Sequence, residues 1–136
     1  METMKSMLIA ASGMRAQAER MRVIAENLAN ASSTASNPNE DPYRRQVPVF
    51  KAELDRATGA ETVHVSSIVH DTSAFREQYM PGHPAADARG YVKMPNVSPL
   101  IEMMDMREAQ RAYEANLNVI DNTRSMMART VDLLKR

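Results

Sequence analysis

The residues whose types and spacing could do chemistry are few. Glu102, Asp105 and Glu108 follow i,i+3 spacing, which on a helix stacks carboxylates along one face, as metal sites in helix bundles do. Such sites also use a Glu-x-x-His pair, and His64, His70 and His83 all lie elsewhere, so the three carboxylates read as a solvated first helical turn. On an extended strand His64 and His70 would share a face but stand about 20 Å apart, too far to ligate one metal. The histidines therefore read as surface residues. Arg44-Arg45 could grip a carboxylate or phosphate, but a charged pair in a connector is usually just solvated. Gly13, Gly59, Gly82 and Gly90 are scattered, so there is no phosphate-cradling loop and no Gly-x-Ser-x-Gly elbow. The absence of cysteine excludes disulfides, thiolate catalysis and Cys-ligated zinc. These residues predict no catalytic, cofactor-binding or metal site, and hence no enzyme.

Charge points away from polyelectrolytes as well. Lys plus Arg equals Asp plus Glu at 17 each, and residues 1–30, 31–97 and 98–136 sum to +1, −1 and 0. No net field would hold the chain on nucleic acid or an anionic membrane surface. No stretch approaches the roughly 20 apolar residues of a membrane span, and the N-terminus lacks a signal-peptide apolar region. The expectation is a chain that stays in the cytosol or leaves by a route needing no cleaved signal.

What remains is the pattern of apolar residues, strongest at the two ends. Met7, Ala11, Met14, Ala18, Met21, Ala25 and Leu28 keep a strict 4-3-4-3 spacing, one stripe along a helix placed at about 4–30. Large and small residues alternate in it, so a partner helix can approach at the alanines while methionines fill the gaps. Asn27, Asn30 and the run Ser32, Ser33, Thr34, Ser36 offer side-chain bonds that compete with the helical ladder and end it.

Ser98 and Pro99 predict the start of the second helix, as N-cap and N1 residues, with Glu102 and Asp105 at the positive end of its dipole. No Gly or Pro interrupts 100–136, enough for a helix of about 55 Å. Its main seam is Met103, Met106, Gln110, Tyr113, Leu117, Ile120, Arg124, Met127, Val131 and Leu134. Gln110 and Arg124 either set register or snorkel at the seam edge. A second seam, rotated by roughly 100°, holds Ala109, Ala112, Asn116, Val119, Thr123, Met126, Thr130 and Leu133. One seam suffices to close a hairpin with the first helix. The more polar second seam suggests further helices as neighbours, a wide core-facing stripe being the alternative. Ten of the twelve methionines fall in residues 1–21 or 103–127, concentrating adaptable side chains at the ends.

Between the helices, 31–62 reads as an extended connector with turns at Asn37-Pro38-Asn39 and Asp41-Pro42 and, at most, an edge strand around Pro48. The alternation of Val63, Val65, Ser67 and Val69, the turn Pro81-Gly82-His83-Pro84 and the run Tyr91–Met94 predict a small antiparallel meander in a β-rich insert at 63–97. The expected fold class is α+β, mainly α. It is an antiparallel coiled-coil hairpin of N- and C-terminal helices (1–30 and 98–136, together one helical domain) with an extended connector and a small central β element.

The segments bordering both helices resemble the bacterial flagellar rod and hook proteins. At the N-terminus these are Ser12-Gly13-Met14-Arg15-Ala16-Gln17 and Asn27-Leu28-Ala29-Asn30-Ala31 with the Ser/Thr run to Thr34. Asp41-Pro42-Tyr43-Arg44-Arg45-Gln46 follows, then Gly90-Tyr91-Val92, Pro95-Asn96-Val97, Glu102-Met103 and Ala112-Tyr113-Glu114-Ala115-Asn116. The resemblance covers essentially the whole chain, with the motifs in family order, and is nearest to proximal-rod members. Arg89 stands where the family favours an acidic residue, and Ser98 where it often has Asn; both Ser and Asn cap helices.

The resemblance implies a structural subunit of the periplasmic rod of the basal body, the driveshaft that transmits torque to hook and filament. It implies export through the flagellar type III apparatus without a cleaved signal. The implied partners are other proximal and distal rod proteins, the adaptor protein at the rod base and copies of the chain itself. The residues alone also allow a soluble helical-hairpin binding module or export adaptor that captures a partner helix. Two lone helices and a small meander bury little apolar surface against chain-ordering entropy, so folding coupled to assembly is expected of the rod reading.

Overall fold

The computed structural model describes residues 2–135. In chain order the elements are α1 (Glu2–Ala29), β1 (Gln46–Asp55), β2 (Ala60–His70), β3 (Arg76–Tyr79), β4 (Tyr91–Met94) and α2 (Pro99–Leu134). The class is α+β, with two long helices and two small sheets, β1-β2 and β3-β4. The single meander expected from sequence is thus two separate pairs. β2 stops at Asp71, whose carboxylate accepts the Ser73 N–H at 2.8 Å and turns the chain away, leaving β3 to pair with β4. β1 lies in the segment expected to be a connector with at most an edge strand around Pro48; it runs on to Asp55, and it accommodates Pro48 because every strand of a two-stranded sheet has a free edge.

α1 ends at Ala29, where of the residues expected to compete with the ladder Asn30 and Ser33 do so and Asn27 does not. The Asn30 amide nitrogen donates to the Glu26 carbonyl at 2.9 Å, and its oxygen accepts the Ser33 hydroxyl at 3.0 Å, so side chains take over from the ladder. The most buried line of α1 is Ala10, Gly13, Ala16, Val23, Ile24 and Asn27. It lies about 100° around the helix from the expected stripe. Of that stripe Ala18 and Ala25 are exposed, while Met7, Ala11, Met14, Met21 and Leu28 are half-buried. Along the first part of that line Ala10, Gly13 and Ala16 permit close approach with methionines at the flanks, and further on Val23 and Ile24 fill it.

α2 starts at Pro99 with Ser98 as its N-cap, the Ser98 carbonyl accepting the first helical N–H, from Glu102, at 3.0 Å.

Contacts divide the described chain into two compact units, each drawing on several segments. The first contains α1 through Met21, Val49–Ser67 and α2 from Arg107 onward. In it Arg20 pairs with Glu108 at 3.4 Å, Gly13 abuts Asn116, and Thr3 and Met4 share a groove with Met126, Met127, Thr130 and Val131. Partner numbers on α2 fall as those on α1 rise, so the two segments run in opposite senses. β1 and β2 turn through Gly59, whose φ of 72° and 2.7 Å bond to the Asp55 carbonyl suit glycine. The Ser12 hydroxyl donates to the Ile9 carbonyl at 2.7 Å and accepts the Val63 N–H at 3.2 Å, fastening strand to helix.

The second unit contains Arg22–Pro48 and Ile68–Met106. β3 and β4 are antiparallel, setting Glu77 opposite Lys93 and Tyr79 opposite Tyr91, whose rings meet edge to face with centroids 5.4 Å apart. Val92 and Met94 point inward onto Ala85, packed with Ala35, Met80 and Ala86. Arg89, the departure from the family pattern, bridges Asp87 and Glu77 at 3.3 Å and lies over the Tyr91 ring. His83 is not a bare surface residue. It is half-buried, its Nδ1 accepting the Ala85 N–H at 2.9 Å while Nε2 meets the Thr34 hydroxyl at 3.2 Å.

Among the described residues five of the ten buried apolar side chains are alanine, while many large apolar side chains are exposed, most of them on α2.

Candidate functional site

The chemistry of the second unit converges on Arg45. Its guanidinium pairs with Glu102, with Asp71 at 3.4 Å and with Asp105 at 3.5 Å. Glu102 is fully buried, and its second oxygen accepts the Asn27 amide at 3.3 Å. Asn27 uses every bonding position it has. Its nitrogen also donates to the Gln46 carbonyl at 2.9 Å, and its oxygen accepts the Gln46 N–H at 2.9 Å and the Tyr43 hydroxyl at 2.8 Å. The side chain thus pairs with Gln46 as a neighbouring strand would, and so holds the start of β1.

Asn96 completes the cluster. Its oxygen accepts the Arg45 N–H at 2.8 Å, and its nitrogen donates to the carbonyls of Asp71 and Ser73 at 3.0 and 3.2 Å. Arg44 donates to the same two carbonyls at 2.8 and 3.1 Å and lies 4.1 Å over the Phe75 ring. Among the described residues no buried side-chain nitrogen or oxygen lacks a partner.

The electrostatics agree with the geometry. Burial opposes the Arg45 charge, but Glu102, hydrogen-bonded to it, and Asp71 outweigh that and hold its pKa above the ordinary arginine value. Asp71 is held below the usual carboxylate range by the N–H and hydroxyl of Ser73 and, after these, by Arg45. Burial, then the charges of Glu26 and Glu102, push the Tyr43 phenol up.

Two sequence readings are corrected here. The Glu102 and Asp105 carboxylates are not a solvated first turn, and Arg45 is not a solvated connector charge; they neutralise one another. With its oxygens committed and its side chain wholly buried, Glu102 meets no solute, so the cluster fastens backbone rather than reacts. Its members gave a signal of another kind: Asn27, Tyr43, Arg45, Asn96 and Glu102 all fall inside the motifs quoted above.

The second feature is the surface of α2. Of the main seam, Met103, Leu117, Met127, Val131 and Leu134 are exposed, as are Gln110 and Arg124, while Met106, Tyr113 and Ile120 are half-buried. In the second seam Ala109 and Thr123 are buried and Ala112 and Asn116 half-buried, whereas Val119, Met126, Thr130 and Leu133 are exposed. The stripe expected to close the hairpin is therefore mainly outward. The stripe expected to wait for neighbours is mainly inward as far as Thr123. The reason is the one seen on α1: Ala109 and Ala112 are small enough for close approach.

Among the described residues no group of three or more His, Asp or Glu side chains is placed to hold a metal ion, and no helix is long and apolar enough to cross a membrane.

Residues 7–35 match the family model described as flagella basal body rod protein, and residues 88–133 match that of the flagellar basal body rod FlgEFG protein C-terminal region. The chain is 54% identical to the flagellar basal-body rod protein FlgC of Agrobacterium fabrum, over 93% of this chain and 91% of that one. It is 43% identical to FlgC of Salmonella typhimurium over 92% of each chain, and 39% identical to FlgC of Aquifex aeolicus over 99% of each.

Proposed function

From the premise that the chain belongs to the FlgC family of flagellar basal-body rod proteins, we propose how it works as a structural subunit of that rod. The family is a structural one, and the chain is a rod component that assembles with other rod proteins. In the finer reading it sits in the proximal, periplasmic part of the rod, after export through the flagellar type III apparatus. Its neighbours there are proximal and distal rod proteins, copies of itself and the adaptor at the rod base. α1 and α2 form an antiparallel coiled-coil hairpin that carries torque by interlocking with neighbouring helices.

The observation that carries this reading is the outward apolar surface of α2. Leu100, Ile101, Met103, Met104, Leu117, Val119, Met126, Met127, Val131, Leu133 and Leu134 are all exposed in the isolated chain. So many exposed apolar residues, clustered at 100–104 and again at 117–134, mark surface that other protein covers. A small-residue interior and a large-residue exterior also suit a subunit that gains much of its apolar burial on assembly.

The test is incorporation. In a strain lacking the gene, the wild-type chain restores motility, and cryo-EM of isolated basal bodies finds it in the rod. Leu117→Glu is expressed and exported but absent from rods. Normal rods from Leu117→Glu would remove the seam from the interface.

A further inference from the structure

The chain has twelve methionines and no cysteine, so thioethers are its only sulfur nucleophiles. Two adjacent pairs on α2 stand in solvent: Met103 and Met104 are 53% and 63% exposed, Met126 and Met127 63% and 42%. Met94, by contrast, is 8% exposed and part of the core with Ala85 and Val92. Susceptibility of methionine to oxidation follows exposure, which separates these four, and Met4 of α1 at 51%, from Met94.

We propose that two separate pairs, Met103 with Met104 and Met126 with Met127, are peroxide-modification sites whose oxidation excludes the chain from assembly. The inference rests on the rod reading above. A thioether lone pair attacks one oxygen of a hydroperoxide; the S–O bond forms as the O–O bond breaks. The departing oxygen takes the proton of the transferred hydroxyl and leaves as water, or as an alcohol from an organic peroxide. Sulfur is oxidised by two electrons and the peroxide reduced by two. The product sulfoxide is polar and chiral where an apolar, flexible side chain stood.

Because these side chains are exposed, the oxidised chain keeps its own fold. It loses the apolar surface a neighbour must cover. At Met126 and Met127 the change falls in the groove shared with Met4 and Val131, where a docking side chain would leave the sulfoxide oxygen without water. Once covered in a rod, the same thioethers are out of reach, so the modification discriminates between free and assembled chain. Methionine sulfoxide reductases, drawing on a dithiol that becomes a disulfide, return the chain to the competent pool.

Cells lacking those reductases would be pulsed with heavy-oxygen hydrogen peroxide while rods are being built. Sulfoxide occupancy at the four positions would be compared by mass spectrometry between chain in purified basal bodies and chain outside them. The expected result is occupancy about tenfold lower in rods assembled after the peroxide is removed, where shielding plays no part, the factor that one modest lost contact produces. A variant with Met4→Leu, Met103→Leu, Met104→Leu, Met126→Leu and Met127→Leu together should continue to incorporate under the pulse. Equal occupancy in the two pools overturns the proposal, as does equal loss of the leucine variant. Absence of the chain from basal bodies of unpulsed cells would instead sink the rod reading itself.

Discussion

The amide nitrogen of Asn116 lies 2.6 Å from the point where a β-carbon on Gly13 would stand, and the other atoms of that amide lie at 3.0 and 3.1 Å. The whole amide plane, not just its tip, would have to move for any side chain at position 13. Gly13, in mid-helix where glycine costs about 1 kcal/mol against alanine, thus leaves room for the Asn116 side chain. Gly13→Ala should destabilise the chain by about 1–2 kcal/mol through overpacking despite its better helix propensity. In an Asn116→Ala background the same change should turn stabilising, by up to about 1 kcal/mol. Urea unfolding of the four proteins reads the sign change; a Gly13→Ala effect independent of residue 116 would remove the contact from the account.

Arg45 and Glu102 should respond unequally to truncation. Arg45→Ala leaves the wholly buried Glu102 with only the Asn27 amide, a case in which about 3–5 kcal/mol is lost. Glu102→Gln keeps an acceptor for Asn27, and Arg45 retains Asp71 and Asp105, so its cost should be smaller, about 1–2 kcal/mol. Chemical denaturation of both variants gives the order. Equal losses would mean that the cluster does not depend on the buried charge.

The pH dependence has one limb on each side. Asp71, whose pKa is lowered by the bonds from Ser73 and the charge of Arg45, stabilises the fold fully above its unfolded pKa of about 4. That contribution is lost as pH falls through the lower folded value. The stability gap between wild type and Asp71→Asn should thus be constant near neutrality and narrow below about pH 5. Tyr43 has the opposite sign. Burial and the nearby Glu26 and Glu102 raise its pKa, so its neutral form stabilises the fold below about pH 10, and the contribution fades as pH rises through the folded value. Tyr43→Phe should cost about 1 kcal/mol at neutral pH by deleting the bond to Asn27, and should flatten the alkaline limb. Denaturation midpoints across pH, with tyrosinate absorbance as the direct readout, test both.

What sequence could reveal followed the range of each interaction. The end of α1 at Ala29 and the start of α2 at Pro99 depend on side chains a few positions away, and both were legible. Which face of each helix turns inward was not, because a heptad pattern records where apolar residues lie and not how closely two backbones can approach. Ala10, Gly13, Ala16 and Ala109 won the interior by being small, and the methionines, which dominate a hydrophobic count, were left at the flanks and outside. Arg45 was illegible for a different reason: its partners Glu102, Asp71 and Asp105 are 57, 26 and 60 positions away, and no local rule joins them. The motifs of the family resemblance marked these residues without explaining them.

The two halves of the second seam on α2 should separate folding from assembly. Ala109 is fully buried, so Ala109→Glu places a charge where there is neither water nor a partner; the chain should lose several kcal/mol and accumulate poorly. Val119, two to three turns further along the same seam, is 42% exposed, and Val119→Glu should change stability by no more than about 0.5 kcal/mol. If assembly covers that part of the helix, the glutamate still fails there, because a neighbour would have to bury it. Circular dichroism melts with recovery of the chain in basal bodies therefore sort the pair: Ala109→Glu fails both, and Val119→Glu fails only the second. A Val119→Glu chain that enters rods as well as wild type would mean that assembly leaves this part of α2 in water.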